Sequence, residues 1–226
     1  MCFWDSYSDQ SARYDATDAA NLVLDDSGLV AQALDLSGNE RHVSQDDPAR
    51  RPLLAMMTPS LTGLQGDIVN EPYQRWLGVT GLSLPSPRTV VAVVKAPENA
   101  RLRFFAGGTF SRIGLNSLDK RRIQGSWILE GGDAYVANTV EIWVAEFNLM
   151  ASYLWVNGVR KLAGTVGNVG GPETTINLLS AANGNSATDG QLGEYVRFGR
   201  VLTSAEKNQI GQYLAGKWGL SWTTIP

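Results

Sequence analysis

Residues 191–206 read QLGEYVRFGR-VLTSAE, a β-branched and aromatic run that leads directly into a helix start. Gln191–Arg200 carries the residue types of a strand. Thr203 can cap the helix that follows, while Glu206, three residues on, reaches back to the cap amide. Ile210, Tyr213, Leu214 and Lys217-Trp218 then form one apolar stripe at i, i+3 and i+4 spacing. Gly219 can end the helix in a left-handed conformation. The pattern predicts a helix over 203–218, packed to cover an open end of a β-sandwich, because the stripe is what folding alone requires.

Upstream, the chain is almost entirely strand and turn. Thr89–Val94 (TVVAVV) is short, β-branched and continuously apolar, which suits a strand buried on both faces. Thr139–Phe147 alternates Val140, Ile142 and Val144 with Glu141, Trp143 and Ala145. Ala151–Val156 and Val159–Leu162 flank Asn157-Gly158, a strong hairpin signal. Asp25–Gly28 and Ser37-Gly38-Asn39 read as turns. Shorter extended pieces lie at Arg13–Asp15, Leu29–Leu34, His42–Gln45, Trp76–Val79 and Thr175–Leu179. About a dozen strands spaced by turns predict one antiparallel two-sheet sandwich over residues 1–226. Residues 1–12 read as an N-terminal arm or as the cover of one sheet edge.

Composition narrows the function classes. The chain has 226 residues, 43% hydrophobic and 18% charged, which is a globular balance. Nineteen basic against 22 acidic residues give a net charge of −3, no footprint for nucleic acid. Lys120-Arg121-Arg122 is too short a basic run to change that. The single cysteine, Cys2, excludes an internal disulfide. The first residues, MCFWD, carry neither a basic segment nor an apolar run, so no signal peptide is expected. No stretch approaches the roughly 20 apolar residues of a membrane helix.

Several motifs carry a resemblance. Tyr14-Asp15-Ala16-Thr17-Asp18, Asp35-Leu36-Ser37-Gly38-Asn39, His42-Val43-Ser44-Gln45 and Arg51-Pro52 recur at one end of it. Glu194, Arg200-Val201-Leu202-Thr203 and Tyr213–Gly219 recur at the other. Over about 13–220 the chain resembles the concanavalin A-like, laminin-G-like jelly-roll modules common in phage virion proteins and secreted bacterial proteins. It departs from them at Ala33-Leu34, where an aromatic often stands. The resemblance implies a jelly roll. Its motifs are turns, caps and helix contacts, so they transfer no catalytic role.

A search for chemistry finds no catalytic constellation. Laminarinase-like relatives of that superfamily place paired carboxylates on one strand. Only Glu141 and Glu146 offer a pair here, with Trp143 where an Asp would stand. Their spacing of five puts them on opposite faces of a strand, and they read as solvent-facing or edge residues. His42, the sole histidine, reads as a surface or sheet-edge residue and not as a lyase base. A cysteine site would need Cys2, and one Cys with one His makes zinc unsuited. Calcium, which laminin-G-like modules often bind through loop oxygens, would fall on Asp133 and Asp189. The same residue types also build turns.

For glycan binding, an aromatic platform beside polar side chains is needed. Trp127 and Tyr135 flank Gly131-Gly132-Asp133 and are expected to be exposed. Asn183 and Asn185 would add polar contacts, while Trp143 and Trp155 read as core or sheet face. The expectation is a non-enzymatic phage virion component, a capsid decoration or tail module. It would be made in the host cytoplasm, assembled as a homo-oligomer with other virion proteins, and able to bind host-surface glycans. The alternative is a polysaccharide-degrading glycanase or lyase.

Overall fold

The computed structural model describes residues 3–66, 75–97, 103–107, 111–116, 119–167, 172–180 and 189–226. The expected two-sheet antiparallel sandwich with one C-terminal helix is observed. In chain order the strands are β1 Gln10–Asp15, β2 Leu22–Leu24, β3 Val30–Ala33, β4 Val43–Ser44, β5 Leu53–Met56 and β6 Thr62–Gln65. Then come β7 Leu77–Val79, β8 Arg88–Lys95, β9 Arg103–Gly107, β10 Arg112–Leu115, β11 Lys120–Gln124 and β12 Ile128–Ala134. The last five are β13 Val140–Phe147, β14 Ser152–Val156, β15 Val159–Gly164, β16 Ile176–Leu178 and β17 Gln191–Phe198. Many are only two to four residues long, too short to show a period, which is why sequence pattern alone found fewer.

One sheet has the order β15-β14-β13-β8-β17-β6-β5, with β1 paired along the second half of β17. The other has nine strands, β12-β11-β10-β9-β16-β7-β4-β3-β2. Their facing sides share one core, in which Val90, Ala92, Val94 and Trp143 meet Leu77, Ile113, Ile123 and Leu178.

The central strands of the eight-stranded sheet are buried on their outer side as well. There Val91, Val93, Ile142 and Val144 pack under Ile210, Leu214 and Trp218 of the helix α1, Ser204–Trp218. Burial on both faces explains the unbroken apolar run of β8. Burying each large apolar side chain of α1 contributes about 2 kcal/mol before chain entropy is counted.

The helix begins and ends as its sequence predicts. Thr203 and Glu206 form a reciprocal capping box, and Gly219 takes φ 67°. Its location differs from the expectation, because it lies along the outer face of a sheet and not over an open end. The stripe specifies a buried side but not which surface buries it. The tail returns along the helix, with Asn208 Nδ2 donating to the Ile225 carbonyl at 2.9 Å. Thr223 N donates to the Asn157 carbonyl at 2.9 Å. Asn157 and Gly158 both have positive φ, 49° and 83°, as a tight hairpin turn requires. The passing tail leaves no room for a Cβ at Gly158.

The N-terminal segment, read as an arm or as the cover of a sheet edge, packs beside α1 on the outer face of the eight-stranded sheet, with Trp4 and Tyr7 buried. A 3-10 turn at Phe3–Ser6 stacks Phe3 on Tyr213 with ring centroids 4.1 Å apart. The Asp35–Asn39 turn is sewn to β1. Asp35 accepts from the backbone N–H groups of Arg13, Ser37 and Arg41 at 3.0 Å each.

Candidate functional site

Among the described residues no helix lies on the outer face of the nine-stranded sheet, and its cross-strand register defines a single line of residues. Val23 pairs with Gln32, Gln32 with Ser44, Ser44 with Gly78 and Gly78 with Asn177. Asn177 pairs with Gly107, Gly107 with Arg112, Arg112 with Gln124 and Gln124 with Ile128. Neighbours along the strands, such as Leu77, Leu178, Ile113 and Ile123, point into the core. Alternation therefore directs this line away from the core. It crosses all nine strands, apolar at its ends and polar or bare through its middle.

Trp76 and Asn177 sit at the centre of the line, over Gly78. A Cβ at Gly78 would collide with the Trp76 ring and would lie 2.6 Å from Asn177 Oδ1, so only glycine permits this approach. Asn177 is 1% exposed, and its Nδ2 has no hydrogen-bond partner among the described residues. The indole Nε1 of Trp76 is likewise buried and unpartnered. Two adjacent orphaned donors are costly, each roughly 1–3 kcal/mol, and call for a water or a ligand oxygen. Gly107 leaves bare backbone beside Asn177, and Arg112 follows, half-buried, its guanidinium making no hydrogen bond or ion pair among the described residues.

Trp127, expected as a platform, is 63% exposed, in the turn joining β11 to β12 at the rim of this face. Its N–H donates to the Val166 carbonyl at 2.9 Å, and Val166 N donates to Leu149. The Trp127 ring lies over Gly167, where a Cβ would come within 3.0 Å of it. Tyr135 corrects the expectation: it is 5% exposed and offers no platform. Its hydroxyl accepts from Ala96 N at 2.9 Å and donates to the Thr139 carbonyl, and burial pushes its pKa up to about 12. Asn183 and Asn185 lie outside the described residues, as does Cys2.

Asp133 is exposed, with its carboxylate 2.8 Å from Lys161 Nζ, a contact that holds its pKa below the usual range. Asp189 lines a cleft of about 160 Å³ with Gln65, Lys95, Asn138 and Gln191. Among the described residues no three His, Cys, Asp or Glu side chains converge on a common point. The ammonium already on Asp133 and the lysine beside Asp189 do not fit a calcium cage.

Glu141 and Glu146 occupy opposite faces of β13, as their spacing predicts, but both are buried and not solvent-facing. Glu141 is forked by Arg121, with Nε at 3.1 Å, and takes the Trp143 indole N–H at 2.6 Å. Glu146 pairs with Lys207 of α1 and accepts from Trp155 Nε1 at 3.3 Å. Each carboxylate is buried against its own counter-charge. His42 is partly buried, and its Nδ1 accepts from Asp35 N at 3.0 Å, a structural role.

Sequence reasoning missed Trp76, Asn177 and Arg112. The one signal available was local: Asn177 stands alone between Ile176 and Leu178, and Gly78 between Leu77 and Val79.

No family model matches the sequence, and no curated protein does. Among solved structures the fold is similar to the botulinum neurotoxin DC binding domain in complex with rat synaptotagmin II, at TM-score 0.63 and 11% identity, over 91% of this chain and 52% of that one. It is similar to Trypanosoma rangeli sialidase in complex with sialic acid, at TM-score 0.56 and 10% identity, over 93% of this chain and 33% of that one. Domain 4 of an extracellular arabinanase from Geobacillus stearothermophilus, in complex with arabinotriose, gives TM-score 0.60 and 17% identity, over 90% of this chain and 97% of that domain. The chain thus spans a third of the sialidase and about half of the toxin fragment. At these identities the likeness is one of fold, the β-sandwich shared by carbohydrate- and receptor-binding domains.

Proposed function

We propose that this protein is a non-enzymatic carbohydrate-binding module whose ligand lies across the outer face of the nine-stranded sheet. The carrying observation is the pair of orphaned donors, Trp76 Nε1 and Asn177 Nδ2, on that face. An aromatic ring beside amide and guanidinium donors is the chemistry a sugar needs, apolar ring face and hydroxyl acceptors together. Trp127 extends the platform at the rim. From β7 to β12 is five interstrand steps, about 24 Å, long enough for an oligosaccharide. Among structurally similar proteins, the sialidase is in complex with sialic acid, the arabinanase domain with arabinotriose, and botulinum neurotoxin type C depends on two ganglioside molecules for cell entry, which favours the same ligand class here.

The glycanase alternative loses support because Glu141 and Glu146 are locked in ion pairs. For its setting we carry forward the virion reading: a phage decoration or tail module, oligomeric, made in the host cytoplasm and presented to host-surface glycans. What supports that setting is the sequence resemblance between the Tyr14–Asp18, Asp35–Asn39 and Tyr213–Gly219 motifs and phage modules.

A glycan array probed with the purified protein tests the binding claim. Specific hits that vanish in Trp76→Ala and Asn177→Ala are expected. Hits unaffected by both, or no hits, would overturn it.

A further inference from the structure

We infer that the glycan recognised on this face is acidic, with a carboxylate or sulfate group held by Arg112. This rests on the binding-face reading above and adds the charge of the ligand to it. Arg112 opens β10 and is the one guanidinium in the line of residues that crosses the sheet. Its neighbours in that line are Gly107, which has no side chain, and Gln124, an uncharged amide. No carboxylate within the described residues pairs with it. Arg122, one strand over, differs in having Glu130 at 3.7 Å.

The second observation is Asn177. It lies two strands from Arg112 with only Gly107 between, about 10 Å away along the line. It is buried, and its Nδ2 is unsatisfied. Trp76 Nε1 and Asn177 Nδ2 are buried donors without a partner, and the Arg112 guanidinium makes no hydrogen bond or ion pair among the described residues. A neutral sugar presents hydroxyls, which donate as well as accept. At the Arg112 end of this stretch the guanidinium has no carboxylate of its own, and an acceptor-only group matches it better than a hydroxyl does. A guanidinium takes a carboxylate or sulfate in two parallel hydrogen bonds, a geometry lysine cannot reproduce.

The test is a glycan array carrying neutral, uronic-acid-bearing, sialylated and O-sulfated oligosaccharides, followed by calorimetry on the strongest hit. Expected hits are acidic, and the charged group among them distinguishes carboxylate from sulfate. Arg112→Gln and Arg112→Lys should each weaken the acidic hit tenfold or more. The carboxyl-reduced or desulfated form of the same oligosaccharide should bind wild type and Arg112→Gln equally. Arg112 is partly exposed, and circular dichroism of the variants controls for folding. Neutral hits lost in Trp76→Ala but indifferent to Arg112→Gln would overturn the acidic-ligand inference and leave the binding face standing. Hits indifferent to all three substitutions, or a blank array, would overturn both.

Discussion

Lys217 Nζ lies 2.7 Å from Asp15 Oδ2, joining residues 202 positions apart in the chain. The same ammonium is 3.0 Å from Glu194 Oε1, whose carboxylate also accepts from Trp218 Nε1 at 2.8 Å. The opening Tyr14–Asp18 motif, the strand glutamate and the closing Lys217-Trp218 of the helix therefore form one polar cluster, with Glu194 buried and Asp15 and Lys217 partly exposed. These recognisable residues hold α1 to the sheet. They carry no chemistry on a substrate.

Removing the shared cation should expose the cost of the two acids. Burial and the nearby Asp15 raise the Glu194 pKa, and Lys217 opposes that rise. Lys217→Met leaves both carboxylates without a counter-charge. A loss of about 3 kcal/mol in denaturant unfolding is expected. Glycan binding by the folded variant should be unchanged, because α1 covers the other sheet.

Acid should weaken the helix start. Glu206 titrates at about 2, below its ordinary 4.5, first because Arg200 hydrogen-bonds its carboxylate at 2.7 and 2.9 Å. A depressed folded value means the stabilisation is complete above 4.5 and lost as pH falls toward about 2. Because the pair is partly solvated, about 1 kcal/mol is at stake. Glu206→Gln should lower stability at pH 7 by that amount and flatten the slope between pH 4.5 and 2, read by urea melts across pH.

How much of this was legible depends on sequence distance. The capping box at Thr203 and Glu206, the Asn157-Gly158 turn and the doubly buried β8 are local patterns, and each forms as read. The fate of Glu141 was not legible. Its partner Arg121 comes from β11 of the opposite sheet, and a carboxylate between apolar residues looks solvent-facing until that guanidinium is placed. Tyr135 was misread for the same reason, since its hydroxyl is satisfied by Ala96, 39 residues away. The line from Val23 to Ile128 was least legible of all. It exists only through eight strand registers, several set by two- or three-residue strands.

The buried glutamates separate a binding module from a hydrolase. Glu141→Gln leaves Arg121 buried against a neutral amide and should cost about 3 kcal/mol. Glu146→Gln should do the same to Lys207. Reducing-end assays on polysaccharides should stay at background for wild type and both variants. Turnover by wild type that either substitution abolishes would restore the glycanase reading.

The hairpin turn is a backbone test. Gly158 has φ 83° and carries the tail at Thr223 directly against its Cα. Gly158→Ala should cost about 2 kcal/mol or more, through the left-handed conformation and displacement of the tail. A melting temperature unchanged from wild type would contradict the docking of residues 220–226 on the β14–β15 turn.

The most direct test of the binding face is a nitrogen-15 NMR titration of the protein with its best glycan from the array. The expected result is a contiguous set of shifts at the Trp76 indole, the Asn177 side-chain amide, Arg112 and Gln124, with Trp127 moving at the rim. Shifts confined instead to α1 and the groove beside Gly216–Leu220, with Trp76 and Asn177 silent, would place the ligand on the opposite side of the sandwich and contradict the site.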